Sequence, residues 1–359
     1  MLSRKAVIIL SLTAVVFIFQ QCSKKDAAAV TTTPAVVPTT TTPTSTGNLT
    51  LPVAAFNYAN VAYPAYMLAA MAATDNTPSD NHITDDGATL GRVLFYDKNL
   101  SQNNTVSCGS CHKQTESFSD NGVLSTGFAG GLTARHSMPL LNVRFYRSGK
   151  MFWDERALTL EKQVLQPIQN HTEMGLTLTE LETKVRAQSF YTPLFQKAFG
   201  SPDIDSVKIA KALAQFVRSI VTYQAKYDKV KQGTATFTAD EAAGEQLFLT
   251  AGAVCAGCHR PPLFLTSEPA APFALADPND LGINNQNRFK VGSLRNAGMR
   301  TSLFHNGSRT NVQAMLTGIG GPIPAHTVAP QDAQKLLAFI NTLTDATVGT
   351  EDKFSNPFH

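Results

Sequence analysis

Two pentapeptides in this 359-residue chain share one spacing: Cys108-Gly109-Ser110-Cys111-His112 and Cys255-Ala256-Gly257-Cys258-His259. Two thiols three positions apart can each add to a vinyl group of one haem. The adjacent histidine then reaches the iron as an axial ligand. Four of the five cysteines are used in this way. The motifs therefore predict two covalently bound haem c groups, one on Cys108 and Cys111 with His112, the other on Cys255 and Cys258 with His259. Disulfide pairs and a zinc site are the alternatives. Zinc would need the ligands of both motifs to converge on one metal, and neither alternative explains why a histidine follows each pair.

The fifth cysteine, Cys22, belongs to the N-terminal leader. Arg4 and Lys5 are followed by a mostly apolar run from Ala6 to Phe19, of the length of a signal-peptide core and short for a membrane span. Cys22 comes next, before Ser23-Lys24-Lys25. The arrangement resembles a bacterial lipoprotein signal, which would make Cys22 the lipidated residue, although Phe19-Gln20-Gln21 stands where small residues are usual. An ordinary secretory signal cleaved nearby is the alternative. Both predict export to the periplasm or cell envelope, with membrane contact only through a lipid anchor.

Composition suits an exported domain. The chain is 43% apolar and 16% charged, with a formal charge of +3 that falls to about +1 once Arg4 and Lys5 leave. No basic stripe argues for nucleic acid. From Asp26 to about Asn48 the residues are mainly Thr, Pro, Ala and Val, which reads as an extended tether. What remains exceeds one ordinary core. The expected organisation is a leader (1–21), a tether (22–50), a first haem domain (51–235) and a second (236–359).

The elements that hold the motifs read as helices. Gly91-Arg92-Val93-Leu94-Phe95 precedes the first motif and Gly244-Glu245-Gln246-Leu247-Phe248 the second, a weak internal repeat on a helix leading into each haem loop. Val207, Ala210, Leu213, Ala214, Val217 and Ile220-Val221 form an apolar stripe, with Lys208, Lys211, Gln215 and Arg218 largely off it. Leu336, Leu337, Phe339, Ile340 and Leu343 do the same near the C-terminus. Few segments alternate with period two. The expected fold class is mainly α, two cytochrome c-like haem domains with long loops such as Arg260-Pro261-Pro262 and Gly318-Ile319-Gly320-Gly321-Pro322. The border is expected between Tyr227 and Glu241, at Gln232-Gly233-Thr234.

Between the haem motifs run Ala134-Arg135-His136-Ser137-Met138-Pro139, then Phe152-Trp153-Asp154-Glu155-Arg156-Ala157, Gln163, Pro167 and Glu173-Met174-Gly175. After the second motif come Ser293-Leu294-Arg295-Asn296 and Phe304-His305-Asn306-Gly307. In order and spacing this resembles the bacterial dihaem cytochrome c peroxidases and their MauG-like relatives, over about residues 75 to 345. The resemblance implies that the first haem is the peroxide site and the second receives electrons. It gives Glu173 the role of acid and base on bound peroxide, Gln163 that of orienting it, and Trp153 that of passing electrons between the haems. Heterolysis of the O–O bond needs a proton taken from one oxygen and delivered to the other, which one pocket carboxylate can do. Without that context Glu173 and Gln163 read as surface residues, and Trp153 as a core aromatic. Asp154 and Arg156 could bond haem propionates or each other. The implied partners are hydrogen peroxide and a small electron-donor protein, a cytochrome c or a cupredoxin; a homodimer is compatible.

Departures from the pattern bear on ligation. The family's peroxidases carry a histidine that caps the resting peroxide haem, and that position is Phe128 here. His136 is the competing candidate for a distal ligand, and a buried, hydrogen-bonded role is open to it as well. It also stands where the family has a calcium-binding asparagine, so a calcium ion is compatible with the resemblance but is not implied by the residue present. For the second haem, the family's methionine or tyrosine falls at Ile319, which cannot ligate iron. Met315, about one helical turn earlier, is the expected ligand; Met299 is the alternative, and His305 reads as structural or propionate-binding. Three functions follow: a peroxidase, a MauG-like oxidase of a protein or organic substrate, against which the missing tyrosine counts, and a dihaem electron-transfer cytochrome.

Overall fold

The computed structural model describes residues 48–250, 254–266, 279–320 and 326–359. Cys22, the leader and most of the tether lie outside them. Twelve α-helices among the described residues carry the fold. They are α1 (Ala65–Thr74), α2 (Asp85–Tyr96), α3 (Cys108–Cys111), α4 (Leu160–Gln169), α5 (Leu178–Arg186), α6 (Tyr191–Phe199), α7 (Ser206–Ser219), α8 (Lys226–Lys231), α9 (Ala239–Thr250), α10 (Val254–Cys258), α11 (Val312–Thr317) and α12 (Pro330–Asn341). Strand pairing among the described residues is confined to isolated bridges. The fold is mainly α, as the periodicities predict.

The repeated Gly-X-X-Leu-Phe segments are α2 and α9, and their glycines mark helix crossings. A Cβ on Gly91 would come within 2.0 Å of the Ala212 carbonyl oxygen on α7 and 2.7 Å of Phe216 Cβ. On Gly244 it would come within 2.0 Å of the Lys335 carbonyl oxygen on α12 and 2.8 Å of Phe339 Cβ. Only a residue without Cβ lets these backbones meet. One turn on, Phe95 meets Phe216 with ring centroids 5.2 Å apart, and Phe248 meets Phe339 at 5.3 Å. Each crossing is the centre of a core. The first gathers α2, α4, α5, α6 and α7; the second gathers α9, α11 and α12 with Tyr227 and Phe264.

The chain between α8 and α9 runs through Gln232-Gly233-Thr234, where Gly233 has φ +72°. The C-terminal residues then return to the first core. Phe354 is 1% exposed, Tyr58 and Tyr96 donate their hydroxyls to the carbonyls of Lys353 and Phe354, and Leu49 pairs with Phe358.

Helix α7 departs from its expected stripe in two ways. Val207, read as apolar face, is 63% exposed at the first turn. Gln215 and Arg218, read as off the stripe, are buried because each has partners in the core. Gln215 accepts from Thr84 N–H and donates to Asn81, while Arg218 forms a forked pair with Glu161 at 2.5 and 3.1 Å. Burial of such groups is tolerable when hydrogen bonds replace water.

Candidate haem and peroxide sites

Each Cys-X-X-Cys-His motif starts on a short helix, α3 or α10, and ends beside its own cavity. His112 lines the first cavity, whose volume is about 630 Å³. Cys255, Cys258 and His259 line the second, about 170 Å³ and dominated by apolar side chains. The two motifs do not converge on one centre, and their four thiols are unpaired. Burial pushes the Cys108 thiol up to about 12 and the Cys111 thiol up to about 11. A four-ligand zinc site would need the two motifs to meet on one metal, and they lie on separate cavities.

Ser107 opens α3 through a capping box with Ser110, which brings Cys108 against the first core and leaves His112 at the helix end. Its Nδ1 lies 3.0 Å from the Phe118 carbonyl oxygen. A carbonyl only accepts, so Nδ1 carries the proton and the lone pair stays on Nε2. Phe118 achieves this by adopting φ +55°, and Phe264 repeats the turn after His259 with φ +53°. Burial lowers the pKa of both imidazoles, that of His259 to about 3, so both rings are neutral and able to donate to a metal.

The lining also fits a group that brings its own carboxylates. Arg300, on the wall of the second cavity, is 8% exposed. Its Nη2 donates to the Ser293 carbonyl at 3.2 Å, while its Nε is buried without a partner. Among the described residues no carboxylate faces it, and burial lowers its pKa to about 10. A haem propionate would supply an anion to such a guanidinium. Lys290 lines both cavities; its ammonium is 3.1 Å from Glu155 and 4.0 Å from the Tyr146 ring centroid.

Gln163 and Glu173 both line the first cavity with His112. Thr159 caps α4 and sets Gln163 one turn inside it. Pro167 sits in the last turn, and Gly175, at φ +77°, turns the chain back so that Leu176 N–H reaches the Ile168 carbonyl. Asn170 accepts from the backbone of Thr172 and Glu173, which folds the loop between. Glu173 is half-buried, and desolvation holds its carboxyl above the usual range, with Arg156 opposing. Phe128 lies behind this loop: its N–H donates to the Glu173 carbonyl and its ring packs on Gly175.

Trp153 lines both cavities. Its indole donates to the His136 carbonyl at 2.8 Å, and its own carbonyl accepts from Lys290 N–H at 2.8 Å. His136 is 3% exposed; its Nε2 is 3.2 Å from Ser119 Oγ and its Nδ1 is 3.1 Å from the Gly122 and Val123 carbonyls. Both ring nitrogens are thus engaged within the protein. Asp154 pairs with Arg135 at 2.6 Å and Arg156 at 2.9 Å, and the Arg156 guanidinium lies 3.6 Å from the Phe152 ring centroid. In the second cavity, Met315 lines the wall at 7% exposure and Met299 does not, while His305 stacks on Phe289 at 3.5 Å.

Four basic side chains that line the cavities were not singled out in the sequence: His171 in the first, Arg300 and His326 in the second, and Lys290 in both. No motif surrounds His171 or His326, and nothing local distinguishes a buried Arg or Lys from a surface one. The structure also shows a parallel between Phe152-Trp153 and Phe304-His305, whose Phe backbones repeat at φ +71° and +70°.

The family model for di-haem cytochrome c peroxidases matches residues 85–236. Methylamine utilization protein MauG of Methylorubrum extorquens is 32% identical over 288 residues, 74% of this chain and 80% of that protein. Cytochrome c551 peroxidase of Nitrosomonas europaea is 31% identical over 274 residues, 72% of this chain and 80% of that one. The crystal structure of a MauG-like protein associated with microbial copper homeostasis superposes with a TM-score of 0.72 at 27% identity, covering 84% of this chain and 99% of that one. The chain belongs to the di-haem cytochrome c peroxidase family, whose members carry two c-type haems and act as oxidoreductases.

Proposed function

We propose that the protein reduces hydrogen peroxide to water in the first cavity, with electrons from a small donor protein of the cell envelope. Cys108, Cys111 and His112 would hold the first haem, and Cys255, Cys258 and His259 the second. The haems supply the redox chemistry when bound. The observation that carries the reading is the placement of a half-buried carboxylate, Glu173, with its pKa raised by burial, in the same cavity as His112 and Gln163.

Peroxide reduction consumes two electrons and two protons and releases two waters. Glu173 takes the proton from one peroxide oxygen and returns it to the other, and burial, by raising its pKa, lets it hold that proton more readily than an exposed carboxylate would. Gln163, on the same wall, orients the substrate through its amide. Trp153, shared by both cavities, offers the route for electrons entering at the second haem. The leader and Cys22 support export and a lipid anchor, and with them a donor in the periplasm.

Steady-state turnover of peroxide with reduced cytochrome c tests the proposal. Peroxide-dependent oxidation of the donor is expected in the wild type, and loss of it in Glu173→Gln. Consumption of peroxide only when a protein or organic substrate is oxidised, with the donor untouched, would contradict it in favour of a MauG-like oxidase.

A further inference from the structure

The two halves build the wall facing each cavity in the same way. Phe152 and Phe304 share one backbone conformation, and each begins a tight loop closed by a single bridge, Met151 with Ala157 and Leu303 with Arg309. A capped helix follows in each case: Thr159 accepts from Lys162 N–H at 3.2 Å, and Asn311 from Ala314 N–H at 2.8 Å. Gln163 and Met315 hold the same position in these helices, four residues beyond the cap. The chain then turns and returns past its cavity. In the first half Leu176 N–H donates to the carbonyl of Ile168, the penultimate residue of α4; in the second, Val328 N–H donates to that of Leu316, the penultimate residue of α11. The residue delivered to the cavity wall just before that bond is Glu173 in the first half and His326 in the second.

The second cavity offers few donors to a metal. The thiols of Cys255 and Cys258 are committed to the covalent link. His305 is stacked face to face on Phe289, with a 7° angle between the rings, and its Nε2 lies 4.0 Å from Asp280. Met315 and His326 also line the cavity. Met315 is packed in the second core with Phe248, Leu336 and Phe339, where a thioether is at home without any metal. His326 stands edge-on to Phe304 at 5.7 Å on the cavity wall that His259 also lines. Two imidazoles on one apolar cavity are a donor pair for an iron held between them.

We propose that His326 is the second axial ligand of the haem held by His259, and that Met315 is a packing residue. This rests on the two-haem reading and assigns one of its ligands. Where the first half returns a proton carrier over an open cavity, the second half returns a ligand that closes it. The second haem then serves electron entry and does not bind peroxide.

The electron paramagnetic resonance spectrum of the oxidised holoprotein tests this, with haem counted as the pyridine haemochrome. The wild type is expected to show a low-spin signal of bis-imidazole type. His326→Ala should lose that signal to a high-spin one, and added imidazole should restore it. Met315→Leu should leave it unchanged. If His326→Ala does not fold, His326→Met decides: it should stay low-spin and raise the midpoint potential of the second haem, because a thioether ligand favours the reduced iron. Loss of the signal in Met315→Leu with retention in His326→Ala would overturn the assignment. Two haems per chain in every variant separates that failure from failure of the two-haem reading; fewer than two in the wild type would overturn both.

Discussion

At the scale of single side chains, burial is what makes Glu173 and Arg300 unusual. Desolvation raises the Glu173 carboxyl, so its basic form appears only above the ordinary glutamate range. Turnover that needs this carboxylate as a base should fall as pH drops through that raised value. Glu173→Gln should lower kcat by about 10²- to 10⁴-fold, the usual worth of a positioned acid–base group, and should abolish the acid limb of the pH profile. A full rate, or an unchanged limb, would remove Glu173 from the mechanism. Arg300 is the converse case, a buried cation without a facing carboxylate among the described residues. Its positive charge favours the reduced form of a nearby haem. Arg300→Met should therefore lower the midpoint potential of the second haem in a spectroelectrochemical titration, with the first haem less affected. Equal potentials in variant and wild type would show that the guanidinium does not face that haem.

Helices α2 with α7, and α9 with α12, show how a short repeat in the chain becomes two equivalent supports. The approach of 2.0 Å to a carbonyl oxygen at Gly91 and Gly244 leaves no room for a methyl group, and a backbone atom cannot rotate away. Alanine at either site should cost about 1–3 kcal/mol, toward the upper end because the backbone must part. Gly91→Ala should weaken the first half and Gly244→Ala the second, read as reduced thermal stability and reduced incorporation of the corresponding haem. The helices and the haem motifs were legible because their information is local: a stripe at helical period, and five consecutive residues of fixed chemistry. What was not legible depends on partners distant in the chain. Arg218 is buried because Glu161 meets it, and Val207 is exposed because, among the described residues, nothing covers its side chain at the first turn of α7. His326 reads as an isolated histidine until α11 and the chain returning after it put it on the wall with His259.

Across the whole molecule, the two cores are joined by more than the segment between α8 and α9. The C-terminal residues cross back to complete the first core, where Phe354 packs against Tyr58, Phe118 and Phe216 at centroid distances of 6.1 to 6.4 Å. Phe354→Ala should destabilise the protein by about 3–5 kcal/mol, the cost of emptying a buried aromatic site, and should perturb the surroundings of His112 although the residue lies far along the chain. Calorimetry of the holoprotein would detect it; an unchanged transition would mean that the tail does not support the first half. Trp153 and Lys290 line both cavities, so the two sites are paired across a shared wall. That pairing requires two haems fixed by thioether bonds. Intact mass of the matured protein after denaturation in acid is the most direct test. A mass increased by two haems, falling to one when Cys255 and Cys258 are both replaced by Ala, is the predicted result; a polypeptide mass with one haem or none in the unaltered protein would contradict the account.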